Sequence, residues 1–257
     1  MNGFGILVRK ELVEAWRTRR LPVLAVLFLV VGMISPLTAK YLPDILKAAL
    51  GDQMTVPIPT PVAADSLVQL QKNLAQIGAL AAIALAMGSV SGELDRGTAA
   101  LVLAQPATRP AFLMAKLVAI GSVLAVSTGL AAIAAWIYTA ILFEPLPIAG
   151  WVAMAALSWL SLMAWASLTF LASAATASTT AAAGLGFTAW IVVSIAAIVP
   201  VLDRFLPTGL STPAIQLAAG ATANLDAARL ATAVLGTAAL VGLTMLGALA
   251  GFRRREL

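Results

Sequence analysis

Glu93, Asp95 and Arg96 stand between two glycines, Gly92 and Gly97, in a chain whose middle is otherwise nearly free of charge. Thr98 follows, and the segment closes on Gln105, Pro106, Thr108, Arg109 and Pro110. Carboxylates and guanidinium groups at this spacing suit charge-assisted hydrogen bonding. They are not a catalytic set. The chain holds no histidine and no cysteine. That removes the commonest general base and metal ligand, and with them disulfide and thiol chemistry. The remaining serines and carboxylates form no Ser-Lys or di-carboxylate arrangement. The chemistry on offer is docking, a polar contact with a soluble partner. A solvated loop is the plainer alternative.

The elements that must position this segment follow from composition. The chain has 257 residues, 61% of them hydrophobic and 11% charged, with mean hydropathy +0.98. Ordinary soluble domains carry about 25% charged residues. Such a chain cannot cover a water-exposed surface, so its main solvent is lipid. A helix needs roughly 20 apolar residues to cross the hydrocarbon. Runs at Leu21–Ala39, Leu74–Val90, Leu117–Leu142, Trp151–Leu171, Thr180–Val199 and Leu230–Phe252 meet or approach that length. The expected fold is all-α and integral to the membrane, one domain of six transmembrane helices without internal repeats.

Charge orients them. Arg9, Lys10, Arg17, Arg19 and Arg20 precede the first run, Arg253, Arg254 and Arg255 close the chain, and Arg96, Arg109 and Lys116 flank the second gap. Basic residues mark cytoplasmic loops. An even number of spans puts both termini on that side. The net charge of +5 is explained by this distribution, and nothing in it suggests nucleic acid.

Phe4 to Arg20 reads as an amphipathic helix ahead of the first span. Phe4, Val8, Leu12, Ala15 and Trp16 share one side, and Arg9, Lys10, Arg17 and Arg20 gather opposite. Such a helix lies in the interface plane. Between the second and third spans, Thr98 caps a short helix from Ala99 to Ala104, and Gln105-Pro106 ends it. The third helix then starts at Thr108 or Arg109, near Pro110. Thr212 to Ala223 is apolar but too short to cross, which suits a re-entrant or interfacial segment. Trp136, Tyr138 and Trp151 are placed to anchor the membrane interface, whereas Trp159, Trp165 and Trp190 lie deeper. Gly247 and Gly251 permit close helix approach, within the chain sooner than between chains. No Asp, Glu, Lys or Arg lies mid-span. Ion-coupled carriers usually bury one there. A Walker A loop requires a Gly-Lys pair, and the chain has none.

The run from Gly92 to Lys116, GELDRGTAALVLAQPATRPAFLMAK, resembles the inner loop of type-2 ATP-binding-cassette permeases. The N-terminal residues Arg9, Lys10, Glu11, Trp16 and Arg17 resemble that family's amphipathic first helix. Phe205–Leu210 resembles its external segment before the last span, and Phe252–Leu257 its tail. The resemblance covers essentially the whole chain. It implies a permease that pairs with a second copy or a paralogue, each clamped to a cytosolic ATPase that binds the ATP. Glu93, Arg96, Gly97 and Thr98 would then sit at the ATPase contact, and Gln105, Pro106 and Arg109 would shape its far end. The second and fifth spans would line the path. The expected function is the membrane subunit of an ATP-driven exporter in a prokaryotic cytoplasmic membrane, moving an apolar or amphipathic cargo outward. The chain itself would have no catalytic residues, cofactor or metal. Two alternatives stay open: a carrier or channel without a motor, and a scaffold anchoring an ATPase for some maturation process.

Overall fold

The structure is a computed structural model that describes residues 3–50, 60–95 and 108–253. Among the described residues there is no strand, and six helices are long and apolar enough to cross a membrane. Helix α1 spans Gly3–Arg17. Arg19 turns the chain at φ 60°, and α2 follows at Arg20–Leu50. Both Pro36 and Pro43 lie inside α2. In water proline breaks a helix. Within a bundle, neighbouring helices and hydroxyls re-satisfy the freed backbone.

The second span is composite. Helix α3 (Ala63–Asn73) opens with the Val62 amide donating to the Asp65 carboxylate at 2.8 Å. One π turn, Leu74–Gly78, follows, then α4 (Ala79–Met87). The chain bends at Gly88 and makes α5 (Ser91–Asp95). Helix α6 (Arg109–Leu142) has Thr108 as its N-cap, its hydroxyl accepting from the Ala111 amide at 3.3 Å. This is the expected start near Pro110. Helices α7 (Ile148–Ala175) and α8 (Thr179–Ala196) are joined by a turn in which Ser178 caps α8. Between α8 and the last span come α9 (Pro200–Asp203), a 3-10 turn (Pro207–Leu210) and α10 (Ser211–Ala218). Helix α11 (Ala227–Arg253) ends the described chain.

Every expected span falls on one of these helices, but the boundaries shift. The first continues past Ala39 and Tyr41 to Leu50, with Lys40 lying over the Phe143 ring at 4.9 Å. The second begins eleven residues earlier than Leu74, counting from Ala63. The third and fourth each start upstream of the apolar run. The fifth stops at Ala196, short of Val199.

Helix α7 is the hub, packed by α4, α6, α8, α10 and α11. Its buried residues include Met154, Leu162, Trp165 and Phe170. Helices α2 and α6 form the other main seam. A side chain at Gly32 would collide with the Ala131 carbonyl oxygen, so the two backbones touch there. Small residues allow this in lipid-embedded bundles. Gly247 likewise faces Leu171 of α7, whereas Gly251 opens onto space. That contact runs within the chain.

Trp151 departs from the sequence reading. It is 2% exposed, a core residue and not an interface anchor. Helix α10 folds back onto the first turn of α7, where Gly150 lies against the Leu217 carbonyl. The short apolar segment after Pro207 is therefore a packed cover at one end of the bundle.

Candidate coupling site

The bend after α4 is held from inside. The Ser173 hydroxyl, at the end of α7, accepts from the backbone amides of Val90 and Ser91 at 3.1 and 3.0 Å. Its own proton goes to the Ser91 hydroxyl at 3.2 Å, which in turn donates to the Met87 carbonyl at 2.8 Å. Ser91 and Ser173 are fully buried. A bend anchored by buried hydrogen bonds moves with the helix that anchors it, because leaving such groups unpaired costs about 1–3 kcal/mol each.

From this bend Glu93 points inward, to Lys116 of α6. The Lys116 ammonium lies 2.6 Å from Glu93 Oε1, and 3.1 and 3.0 Å from the two Glu11 oxygens. Its side chain is only 3% exposed. The Phe112 ring sits 5.0 Å from the same nitrogen. Glu11 comes from α1, which rests on α6 and α2 with Ala15 buried. Lys10 adds a second ammonium, 3.1 Å from Glu11, 3.5 Å from Glu93 and 3.7 Å from Glu14. Burial pulls the Lys10 ammonium down, but the Glu11, Glu93 and Glu14 carboxylates outweigh it and hold it above the ordinary lysine value. Arg20 joins these groups around a cavity of about 40 Å³, the size of a water.

Glu11, Glu14 and Glu93 each bring one oxygen to within 4.8 Å of the others, the spacing of a possible metal site. The Lys116 ammonium already bridges Glu11 and Glu93. The arrangement is thus an ion-pair network that balances its own charge.

The far wall belongs to α11. Phe112 stacks on Phe252 with ring centroids 6.0 Å apart, and Arg109 donates to the Phe252 carbonyl at 3.4 Å. Four elements therefore meet here: α1, the α5 bend, the start of α6 and the end of α11.

The structure brings together Glu93, Arg109, Lys10 and Glu11 from the residues singled out in the sequence. Arg9, Trp16 and Arg17 stay on the open side of α1, with Trp16 63% exposed. Arg96, Gly97, Thr98, Gln105 and Pro106, with the helix expected from Ala99 to Ala104, lie outside the described residues. Sequence reasoning missed Lys116 as the centre of the network and saw it only as one more inner-side charge. A signal was present, since Lys116 is the one charged residue in the apolar run from Ala111 to Phe143.

Comparison with known proteins agrees with this architecture. A family model described as "ABC-2 family transporter protein" matches residues 6–227. The chain is also 27% identical over 194 residues to a protein of Bacillus subtilis (strain 168) named "Uncharacterized transmembrane protein YxlG". That alignment covers 74% of this chain and 75% of the relative.

Proposed function

This chain belongs to the ABC-2 family of transporter proteins, is a multi-pass membrane subunit and not the ATPase itself, and from that premise we propose how it works. It is the permease of an ATP-driven exporter. A separate cytosolic ATPase binds and hydrolyses the ATP. Two permeases pair, as two copies or as paralogues, in a prokaryotic cytoplasmic membrane with both termini inside. ATP and not an ion gradient drives it, since no ionisable residue lies mid-span to carry a coupling ion, and the cargo is apolar or amphipathic, to suit spans of Ala, Leu, Ser, Thr and aromatic residues.

The observation that carries the coupling mechanism is the Glu93–Lys116–Glu11 network. It ties α1 and the bend after the second span to the start of the third. Coupling between sites needs an element that moves as a unit. A push from the ATPase on the Ser91–Pro110 segment would pass through Glu93 to Lys116 and so to α6. Closure of two ATPases would then turn the paired bundles outward. Arg96, Gly97, Thr98, Gln105, Pro106 and Arg109 would form the contact, and Arg9, Trp16 and Arg17 would hold α1 at the interface.

The test is affinity purification of the tagged chain from native membranes, followed by flux in sealed vesicles. An ATPase bearing a Walker A loop should co-purify, and ATP should drive accumulation of amphipathic dyes in inside-out vesicles. Purification with no ATPase would end the reading. Co-purification without any ATP-dependent flux would leave the chain a scaffold.

A further inference from the structure

A second site lies at the end of the bundle away from the α5 bend. Helices α7 and α8, the π turn of the second span and the Pro207–Leu210 turn enclose a cavity of about 290 Å³. Small-molecule pockets start near 300 Å³. Its wall carries no Asp, Glu, Lys or Arg. Trp190 lines it together with Trp165, which is only 3% exposed, and Phe187 packs beside Trp190 with centroids 5.5 Å apart.

The polar groups in this wall divide into two kinds. Gln71 and Ser158 are spent on each other, the Gln71 amide donating to the Ser158 hydroxyl at 3.0 Å. Gln76, Ser161 and Ser194 line the same space and make no side-chain hydrogen bond among the described residues. Gln76 belongs to the π turn Leu74–Gly78, which interrupts the regular helix here. Single π turns inside α-helices collect at functional sites.

We propose that this cavity is a binding site for an uncharged amphiphile, one that rests an apolar body against Trp190 and offers hydroxyl or carbonyl groups to Gln76, Ser161 and Ser194. A charged ligand finds no counter-ion and loses its hydration. A purely apolar one leaves three polar side chains without partners. The cavity lies inside one chain, so it requires neither a second permease nor an ATPase. As a cargo site it rests on the transport reading and narrows its cargo to uncharged amphiphiles, but binding here is measured apart from ATPase capture and flux. Because the π turn forms part of the wall, an occupant touches the second span, whose other end is the α5 bend.

The experiment uses the full chain in lipid nanodiscs and three photoprobes with the same diazirine-bearing alkyl tail. Their heads are a glucoside, a sulfate and a trimethylammonium group. Labelled peptides are mapped by mass spectrometry. The glucoside should label saturably at Ser161–Trp165 and around Gln76, and the charged heads should not. Ser161→Trp fills the cavity and should abolish that labelling. Gln76→Leu removes one hydrogen-bonding partner from an exposed lip, where folding is undisturbed, and should weaken labelling about fivefold. Three results would each overturn the proposal. All three heads label alike; the glucoside marks lipid-facing positions such as Val126 and Leu243 as strongly as the cavity; or Gln76→Leu labels like the parent chain.

Discussion

Lys116 of the third span and Glu93 of the bend after the second span lie 23 residues apart in sequence and 2.6 Å apart in space. The pair is nearly sealed from solvent, with side-chain exposures of 3% and 14%. Buried pairs contribute little net stability when intact, yet removing one partner strands the other charge. This asymmetry makes the network testable.

Lys116→Met should destabilise the chain by up to about 3–5 kcal/mol, because Glu11 and Glu93 lose the buried one of the two ammonium groups they share and keep only the partly exposed Lys10. The triple variant Glu11→Gln, Glu93→Gln, Lys116→Met should recover most of that loss. Chemical unfolding in detergent measures both. Equal stability of Lys116→Met and the parent would remove the network from the account.

Lys10 links stability to pH. Its ammonium is held above the ordinary lysine value by Glu11, Glu93 and Glu14 against the opposing pull of burial. Folding therefore favours the protonated form. Its contribution is complete below the unfolded lysine pKa and fades as pH rises through the higher folded one. The melting temperature should fall in that alkaline window, and the fall should be shallower in Lys10→Met. The side chain is 42% exposed, so the difference is small. A steeper fall in Lys10→Met would contradict the sign.

Topology is open to a direct test, since the chain has no native cysteine. Thr108 and Glu144 are both exposed and sit at opposite ends of α6. Single cysteines there should react with an impermeant thiol reagent from opposite sides of the membrane, Thr108→Cys from the cytoplasm. Labelling from one side only would mean that α6 does not cross.

Arg96 and Glu93 should separate docking from internal coupling. Arg96→Glu should fold normally, since charge changes outside the core usually stay within about ±0.5 kcal/mol. It should weaken ATPase capture about tenfold or more, because like charges meet at the interface. Glu93→Lys should instead lose stability, since it sets a second ammonium against Lys116. Glu144→Lys, at the opposite end, serves as the control. Equal capture by Arg96→Glu and Glu144→Lys would make the segment a solvated loop.

Sequence alone determined the six apolar crossings, the basic residues at both ends and the helix start at Thr108. These depend on local composition: an apolar run has one stable place in a bilayer, and Thr108-Arg109-Pro110 starts a helix wherever it stands. It did not disclose which side chains meet. Glu11 and Lys116 are 105 residues apart, and no local pattern pairs them. Their burial follows from α1 lying across α6. Trp151 looked like an interface residue because it opens a span; the fold-back of α10 buries it. Pro36 lies inside the expected first span and Pro43 beyond its end, yet α2 runs through both, because packing against α3 and α6 outweighs local propensity. The π turn at Leu74–Gly78 has no sequence mark at all. It exists where the second span meets α7, and only the packed bundle could choose that register.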